Sequence, residues 1–228
     1  MNEALTLFLV EDNDDIAFVT RLCLERAGHR VTVCHSGADA LLVLGHSAFD
    51  LVVLDYFLQD ITGSQLLQHL QRDGKRTPVL MITAYGDQQL AAQVLREGAL
   101  DYVVRDQSGA YLDELPKRVM EAVTRHRLLQ SNSLLIAAFE SARDGIVITD
   151  LSGVVLHVNS ALERLFGYSR DELLGKNASD LFQTDNQPVT CLDDMWNTLH
   201  DRRSWQGELV NQRKDGTLVD SSLTIAPI

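Results

Sequence analysis

The sequence predicts two domains joined by a long helix: a doubly wound five-stranded parallel α/β sheet, followed by a small α+β domain with an antiparallel sheet. Three observations predict this architecture. Five short apolar runs alternate with helical periodicity in the first half, an apolar seam follows from residue 115, and short strands with turn signals fill the second half. The 228 residues are enough for one or two domains of ordinary size.

The parallel sheet is predicted from runs that are apolar almost throughout. They occupy residues 5–10, 31–34, 51–54, 79–82 and 102–104. Continuous rather than alternating Val, Ile and Leu is typical of strands that are buried on both faces of a parallel sheet. Stretches with helical periodicity lie between the runs, and this alternation indicates crossover helices on the two faces of the sheet.

A long helix is predicted over residues 114–139, with Asp113 as its cap and Pro116 in its first turn. Neither Pro nor Gly occurs between residues 117 and 144. Seven positions follow the 4-3 spacing of a coiled-coil seam, two of them polar. They are Leu115, Val119, Ala122, His126, Leu129, Ser133 and Ile136. We expect this seam to pair with a second copy of the chain; an ordinary last helix followed by a loop is the alternative.

The second half carries the pattern of a small antiparallel domain. Strands are predicted at 146–149 and 154–158, with a hairpin turn between them, and Asn159 caps a short helix that ends at Gly167. Further helices are predicted at 171–174 and 192–199. Strands at 207–212 and 218–225 flank the hairpin signal Asp215-Gly216.

Composition excludes several classes of protein. Lys plus Arg number 20 and Asp plus Glu 32, a formal charge of −12, which suits neither a nucleic-acid face nor a polybasic membrane anchor. The three cysteines form no C-x-x-C pair, so a zinc site or a disulfide framework is not indicated. The acidic start is unlike a signal peptide, and no apolar run has a membrane-spanning length. We expect a cytoplasmic protein.

Polar side chains follow the predicted strands at one edge of the sheet. Glu11 and Asp12 come directly after the first strand, and Asp55, Thr83 and Arg105 end the third, fourth and fifth. With strand order 2-1-3-4-5, the ends of the first and third strands are neighbours, so the carboxylates should face one another. Crowded carboxylates repel unless a cation joins them, and hard oxygen ligands suit Mg²⁺.

A carboxylate beside Mg²⁺ can attack a phosphoryl group and form an aspartyl phosphate. Thr83 can donate its hydroxyl to one phosphoryl oxygen, and the cation at position 105 can pair with another. Taken alone, an Asp or Thr at a strand end is usually only a turn residue, a helix cap or a good strand former. Their occurrence together at the right strand ends indicates phosphoryl chemistry.

Residues 5–125 resemble a response-regulator receiver domain, with a flavodoxin-like fold. The motifs that carry the resemblance are Leu9-Val10-Glu11-Asp12, Val53-Leu54-Asp55-Tyr56, Gly63, Met81-Ile82-Thr83-Ala84 and Gly98-Ala99-Leu100-Asp101-Tyr102-Val103-Val104-Arg105. The family implies a cytoplasmic phosphorelay protein that a histidine kinase or phosphotransfer protein phosphorylates.

The resemblance also implies roles for single residues. Asp55 is the phosphoacceptor, and Glu11, Asp12, Asp55 and the carbonyl of Phe57 hold Mg²⁺. Three residues bind the phosphoryl group: Thr83, Ala84 and Arg105. Thr83 and Tyr102 form the switch pair. Phe57 and Tyr85 project over the path of the hydrolytic water, so we expect slow dephosphorylation; the alternative is that both rings turn outward.

Residues 139–228 resemble a PAS sensory domain. The carrying motifs are Asp144-Gly145-Ile146, Val158-Asn159-Ser160-Ala161, Phe166-Gly167-Tyr168-Ser169, Glu172-Leu173-Leu174-Gly175-Lys176, Trp205-Gln206-Gly207-Glu208-Leu209 and Arg213-Lys214-Asp215-Gly216. The family usually has one more strand after Ile228, so we expect the domain to lack its final strand here. Ala178 stands where photosensory relatives carry a Cys, and no His lies near 190–193, so neither a flavin adduct nor haem is expected.

These resemblances divide the chain into a receiver at 1–125, a helical linker at 126–138 and a PAS domain at 139–228. The leading interpretation is a homodimeric response regulator whose output domain, a cyclic-di-GMP enzyme or a histidine kinase, is absent. The family usually has Lys followed by Pro where this chain has Arg105-Asp106. The alternative is therefore an interaction module whose degenerate receiver is not switched by phosphate. A phosphohydrolase ranks last, because Phe57 stands where such enzymes need a second Asp.

Overall fold

The chain divides into two compact units, Met1–Ser131 and Asn132–Ile228. The computed structural model describes residues 3–72, 77–84, 88–106, 108–182, 194–195, 197–199 and 201–227. Among these residues, no helix is both long enough and apolar enough to cross a membrane.

Five parallel strands form the sheet of the first unit. The strands are β1 (Thr6–Val10), β2 (Arg30–Cys34), β3 (Leu51–Asp55), β4 (Val79–Ala84) and β5 (Asp101–Arg105). The helices between and after them are α1 (Asp14–Arg26), α2 (Gly37–His46), α3 (Gly63–Arg72), α4 (Gln88–Arg96) and α5 (Tyr111–Ser141). The sheet order is β2-β1-β3-β4-β5, which confirms the predicted fold.

Two apolar cores cover the two faces of this sheet. One contains Leu7, Leu9 and Val53 together with residues of α1 and α5. The other contains Phe8 and Val52 together with residues of α2, α3 and α4. All five residues of β3 are buried. The apolar runs are continuous because successive side chains of a central strand enter opposite cores, and both cores exclude water.

Helix α5 is continuous, as predicted, but it begins at Tyr111, three residues before the predicted start at residue 114. The Asp106 carboxylate accepts hydrogen bonds from the backbone N–H groups of Tyr111 (3.0 Å) and Ala110 (3.3 Å), and so satisfies donors at the helix start. The assignment of Asp113 as the cap is therefore wrong. Asp113 lies in the first turn, and Pro116 falls in the second turn rather than the first.

The coiled-coil prediction is wrong for the first three positions of the seam. Leu115, Val119 and Ala122 are buried in the core of the first unit. Their periodicity comes from packing on the sheet, so they offer nothing to a second chain. The exposed apolar side chains of α5 lie further along, and they are Leu128, Leu129, Leu134, Leu135 and Ile136.

In its described residues, the second unit has two antiparallel pairs of strands. Its elements are β6 (Val147–Thr149), β7 (Val155–Val158), α6 (Ser160–Phe166), α7 (Arg170–Leu173), α8 (Ala178–Phe182), β8 (Trp205–Gln212) and β9 (Leu218–Ile225). β6 pairs with β7 and β8 with β9. Asn159 and Gly167 cap α6 as predicted, and Gly167 has the left-handed φ of 78°. The helix predicted at 192–199 lies only partly within the described residues.

Candidate functional site

Three carboxylates lie together at the carboxyl edge of the parallel sheet. Glu11 and Asp12 follow β1, and Asp55 is the last residue of β3. Val10 pairs with Leu54 in the neighbouring strand, so the two strand ends are level. One ligand oxygen from each carboxylate lies within 4.8 Å of the others. We call Glu11, Asp12 and Asp55 the acidic pocket.

A close backbone approach positions the end of β3. The N–H of Gly63, the first residue of α3, donates a 2.9 Å hydrogen bond to the carbonyl of Tyr56. A Cβ at position 63 would lie 2.6 Å from the carbonyl oxygen of Asp55 and 3.0 Å from the Cα of Tyr56. Only glycine allows α3 to start this close to the strand end that carries Asp55.

Two carboxyl groups of the acidic pocket, those of Glu11 and Asp55, have raised pKa values. Burial and the neighbouring Asp55 carboxylate raise the pKa of Glu11 to about 7, and Arg105 opposes this shift. Burial likewise raises the pKa of Asp55, again against the effect of Arg105. Both carboxyl groups therefore hold their protons more tightly than exposed ones do. The first cause is burial, which disfavours the charged form of each carboxyl group.

Arg105, the last residue of β5, reaches into the acidic pocket. Its Nη2 lies 2.5 Å from Oδ1 of Asp55, and its Nη1 lies 3.3 Å from Oε2 of Glu11. Its side chain is only 15% exposed. The sequence predicted the strand-end position of Arg105, but not that one guanidinium contacts both carboxylates.

The donor set of the acidic pocket fits a Mg²⁺ ion. All three groups offer carboxylate oxygens, the ligands that this hard cation prefers. Asp12 is partly exposed, which leaves room for water ligands, and its Oδ2 accepts a 3.1 Å hydrogen bond from the N–H of Gln59. The raised pKa of Glu11 also marks a place where added positive charge would be stabilising.

Of the other predicted site residues, Thr83 and Ala84 lie at this edge, whereas Tyr102 lies near the start of β5, three residues before Arg105. Thr83 is buried near the end of β4, and Ala84 pairs with Arg105 in β5. Tyr102 pairs with Met81 and is partly buried against the core.

Phe57 lies two residues after Asp55. The residue is 56% exposed, and its ring meets the Tyr56 ring edge-on, at a centroid distance of 4.8 Å. Tyr85, the other residue predicted to slow dephosphorylation, lies outside the described residues.

Sequence reasoning missed His35. Its Nδ1 lies 3.0 Å from the carbonyl oxygen of Glu11 and 3.4 Å from Oδ1 of Asp14. The signal was present, because His35 directly follows Cys34 at the end of β2, and β2 neighbours β1. The strand-end rule that located the other residues also locates this one.

Comparison with known families agrees with the geometry. The family model described as response regulator receiver domain matches residues 7–116, and a PAS domain model matches residues 143–228. The chain consists of a receiver domain followed by a PAS domain.

Curated relatives of this chain are named as transcriptional regulators and a sensor histidine kinase. The transcriptional regulatory protein AfsQ1 of Streptomyces coelicolor is 32% identical over 68% of this chain and 63% of its own length. The sensor histidine kinase TmoS of Ectopseudomonas mendocina is 27% identical over 73% of this chain and 21% of its own length. The chain thus spans less than two thirds of either relative. These similarities support a role in phosphorelay signalling.

A solved structure shares the fold over a comparable stretch. NtrX from Brucella abortus aligns with a TM-score of 0.53 and 26% identity, over 66% of this chain and 32% of the NtrX chain. The common fold agrees with the observed strand order.

In the PAS domain, Trp205 packs against its own strand. A Cβ on Gly207 would lie 2.3 Å from the Trp205 ring, and the indole Nε1 donates a 3.0 Å hydrogen bond to Asp194. These contacts give the ring a structural role. The expectation that this domain binds neither a flavin adduct nor haem stays a prediction.

Proposed function

We propose that the receiver accepts a phosphoryl group on Asp55 with Mg²⁺ bound in the acidic pocket. The observation that supports this most strongly is the convergence of three carboxylates within 4.8 Å at the edge of the sheet where Thr83 and Arg105 also lie. In open α/β sheets, ligands bind at this carboxyl edge.

The proposed reaction is a phosphoryl transfer to a carboxylate. An oxygen of Asp55 attacks the phosphorus of a phosphohistidine in a histidine kinase or phosphotransfer protein, or of a small phosphodonor. An acyl phosphate forms as the bond from phosphorus to the donor breaks. A histidine nitrogen leaves with the bonding electron pair and takes up a proton, whereas the oxygen of a donor such as acetyl phosphate leaves as a carboxylate. Thr83 and Arg105 donate to the phosphoryl oxygens.

Residues of the acidic pocket prepare this step. Glu11, Asp12 and Asp55, with the carbonyl of Phe57, are the proposed Mg²⁺ ligands. Bound Mg²⁺ would supply positive charge against phosphoryl oxygens that otherwise repel the nucleophile. The buried side chain of Thr83 and the backbone of Ala84 are proposed to bind the phosphoryl group. Thr83 and Tyr102 are proposed to rearrange once it is present.

The state of the receiver is proposed to pass along α5. We assign 1–125 to the receiver, 126–138 to a helical linker and 139–228 to the PAS domain. The exposed apolar residues between Leu128 and Ile136 support pairing of this linker with a second copy of the chain. A cytoplasmic location stays a prediction.

The output of the whole protein is proposed to be a histidine kinase or a cyclic-di-GMP enzyme. Similarity to TmoS, which is named a sensor histidine kinase, covers 73% of the chain and favours the kinase. The competing function is a phosphorylation-independent interaction module, and the contact of Arg105 with Asp55 is the observation in its favour.

Incubation with acetyl phosphate and Mg²⁺, followed by intact mass spectrometry, tests the proposal. We expect the wild-type chain to gain one phosphoryl group and Asp55→Asn to gain none. Asp60→Asn is a matched control, because Asp60 lies in the loop that follows Asp55 but accepts hydrogen bonds from Gly37 and Ala38 at the start of α2. Failure of wild type to be labelled by acetyl phosphate would favour the interaction module, and labelling of Asp55→Asn would refute Asp55 as acceptor.

A further inference from the structure

We propose that Arg105 is a built-in cation of the acidic pocket, which neutralises Glu11 and Asp55 in the metal-free protein and competes with a divalent cation for them. This inference rests on the proposed function only in taking the acidic pocket as the metal site. It makes the residue at position 105 a determinant of metal affinity as well as a group that binds phosphate.

The geometry places one planar group across two carboxylates. Nη2 of Arg105 lies 2.5 Å from Asp55, and Nη1 of the same guanidinium lies 3.3 Å from Glu11. Both carboxylate side chains are almost fully buried, so water screens these contacts weakly. Lys would place a single compact charge here, whereas the fork of Arg donates from two nitrogens at once.

The position of Arg105 depends on these charges. Within the described part of the chain, its Nε is buried and has no hydrogen-bond partner. Its two terminal nitrogens are directed at the two carboxylates, so these negative charges hold the guanidinium at the acidic pocket.

A metal ion in the acidic pocket would lie close to the positive charge of Arg105. Mg²⁺ lies about 2.1 Å from its oxygen ligands. An ion on Oδ1 of Asp55 would thus lie within about 5 Å of Nη2, given the 2.5 Å contact of that nitrogen. Two positive charges this close repel each other, so metal binding has to displace Arg105 or proceed against it. Displaced Arg105 would then be free to bind phosphoryl oxygens.

Binding of Mn²⁺ to the full chain, measured from the electron paramagnetic resonance of free Mn²⁺, tests the inference. Arg105→Gln should lower the Kd for Mn²⁺ by about tenfold or more, because it removes the competing charge. Arg118→Gln is the matched control: it also removes one positive charge, but Arg118 pairs with Asp101 at the start of β5, the opposite edge of the sheet. Its Kd should stay within about twofold of wild type. Equal affinities of Arg105→Gln and Arg118→Gln would overturn the inference.

Two further variants check where Mn²⁺ binds and whether its affinity depends on the forked guanidinium. Adding Asp12→Ala to Arg105→Gln should abolish the gain in Mn²⁺ affinity. If the gain persists, Mn²⁺ binds outside the acidic pocket and the inference is refuted. Arg105→Lys, which keeps the charge and guards against misfolding of the Gln variant, should bind Mn²⁺ more tightly than wild type, because one ammonium cannot donate from two forked nitrogens. An unchanged or weaker affinity would count against us.

The two proposals can fail separately. If Arg105→Gln gains Mn²⁺ affinity but no variant is labelled by acetyl phosphate, the proposed function is wrong and this inference stands. If wild type is labelled and the affinities are equal, only this inference is wrong.

Discussion

Asn159 donates a 3.1 Å hydrogen bond from its side-chain amide to the carbonyl of Phe139, in the last turn of α5. The same amide nitrogen donates to the backbone carbonyl of Asp144, and the amide oxygen accepts from the N–H groups of Ile146 and Leu162. Asn159 is fully buried. One side chain thus ties the end of the helix that leaves the receiver to the β7–α6 junction of the PAS domain.

Asn159→Ala should lower the free energy of unfolding of the PAS domain by about 2–4 kcal/mol, because it leaves buried backbone groups without partners. Urea unfolding followed by Trp fluorescence measures this, since both tryptophans of the sequence, Trp196 and Trp205, belong to this domain. Asn177→Ala removes a less buried Asn with two hydrogen bonds and should cost about 1 kcal/mol. Equal costs would show that Asn159 has no special role.

Gly63→Ala should destabilise the receiver by about 1–3 kcal/mol, because the new Cβ meets the backbone of Asp55 and Tyr56. Gly45→Ala should instead be stabilising, since Gly45 lies in α2 and a Cβ there meets nothing within 4 Å. Urea unfolding followed by far-UV circular dichroism compares the two. A neutral Gly63→Ala would mean that the strand end and α3 move apart at little cost.

The stability of the metal-free receiver should fall with rising pH through Glu11. Its folded pKa of about 7 lies above the ordinary 4.5, so its contribution is full below pH 4.5 and is lost as pH rises to about 7. The unfolding free energy of wild type minus that of Glu11→Gln should therefore fall over this range, by about 3 kcal/mol, because only wild type loses stability as Glu11 ionises. The pKa of His29, lowered by burial, acts in the opposite direction but equally in both proteins.

Urea unfolding at a series of pH values, with and without Mg²⁺, checks this. Saturating Mg²⁺ should flatten the difference, because the cation favours ionised Glu11. A difference that does not change with pH in the metal-free protein would contradict the raised pKa.

The exposed part of α5 should pair two chains. Leu128→Ser with Leu135→Ser removes two exposed apolar side chains seven residues apart and should weaken dimerisation by about 100-fold. Leu151→Ser, at a fully exposed turn of the PAS domain, is the control and should have no effect. Light scattering over a concentration series measures both. A wild-type chain that stays monomeric at high concentration would leave α5 as a spacer.

Dephosphorylation should be slow if the rings at positions 57 and 85 keep water from the acyl phosphate. Phe57→Asn with Tyr85→Glu should increase the decay rate by about tenfold or more, because these side chains can orient a water. Phosphorylation with acetyl phosphate, removal of the donor and intact mass over time measure the decay. Phe49→Leu, in the core away from the acidic pocket, is the control. Equal decay of the double mutant and wild type would mean that the rings face outward.

The sequence by itself predicted the parallel sheet and the strand ends that carry the acidic pocket, and the resemblance to receiver domains implied the strand order. Continuous apolar runs are a local consequence of burial on both faces, and a chain with five of them has few ways to form a parallel sheet. Glu11, Asp12 and Asp55 could be located because strand ends of neighbouring parallel strands meet at one edge.

Only the tertiary structure decided which face of α5 is buried, which residue caps it and what Arg105 contacts. The seam of α5 has one spacing from Leu115 to Ile136, yet its first three positions are buried against the sheet, and spacing does not record which surface covers a helix. Asp106, not Asp113, caps the helix, because capping depends on where the loop places a carboxylate. Arg105 contacts both Glu11 and Asp55 because a long, flexible side chain reaches the charges that the folded sheet brings together, and these charges come from strands distant in sequence.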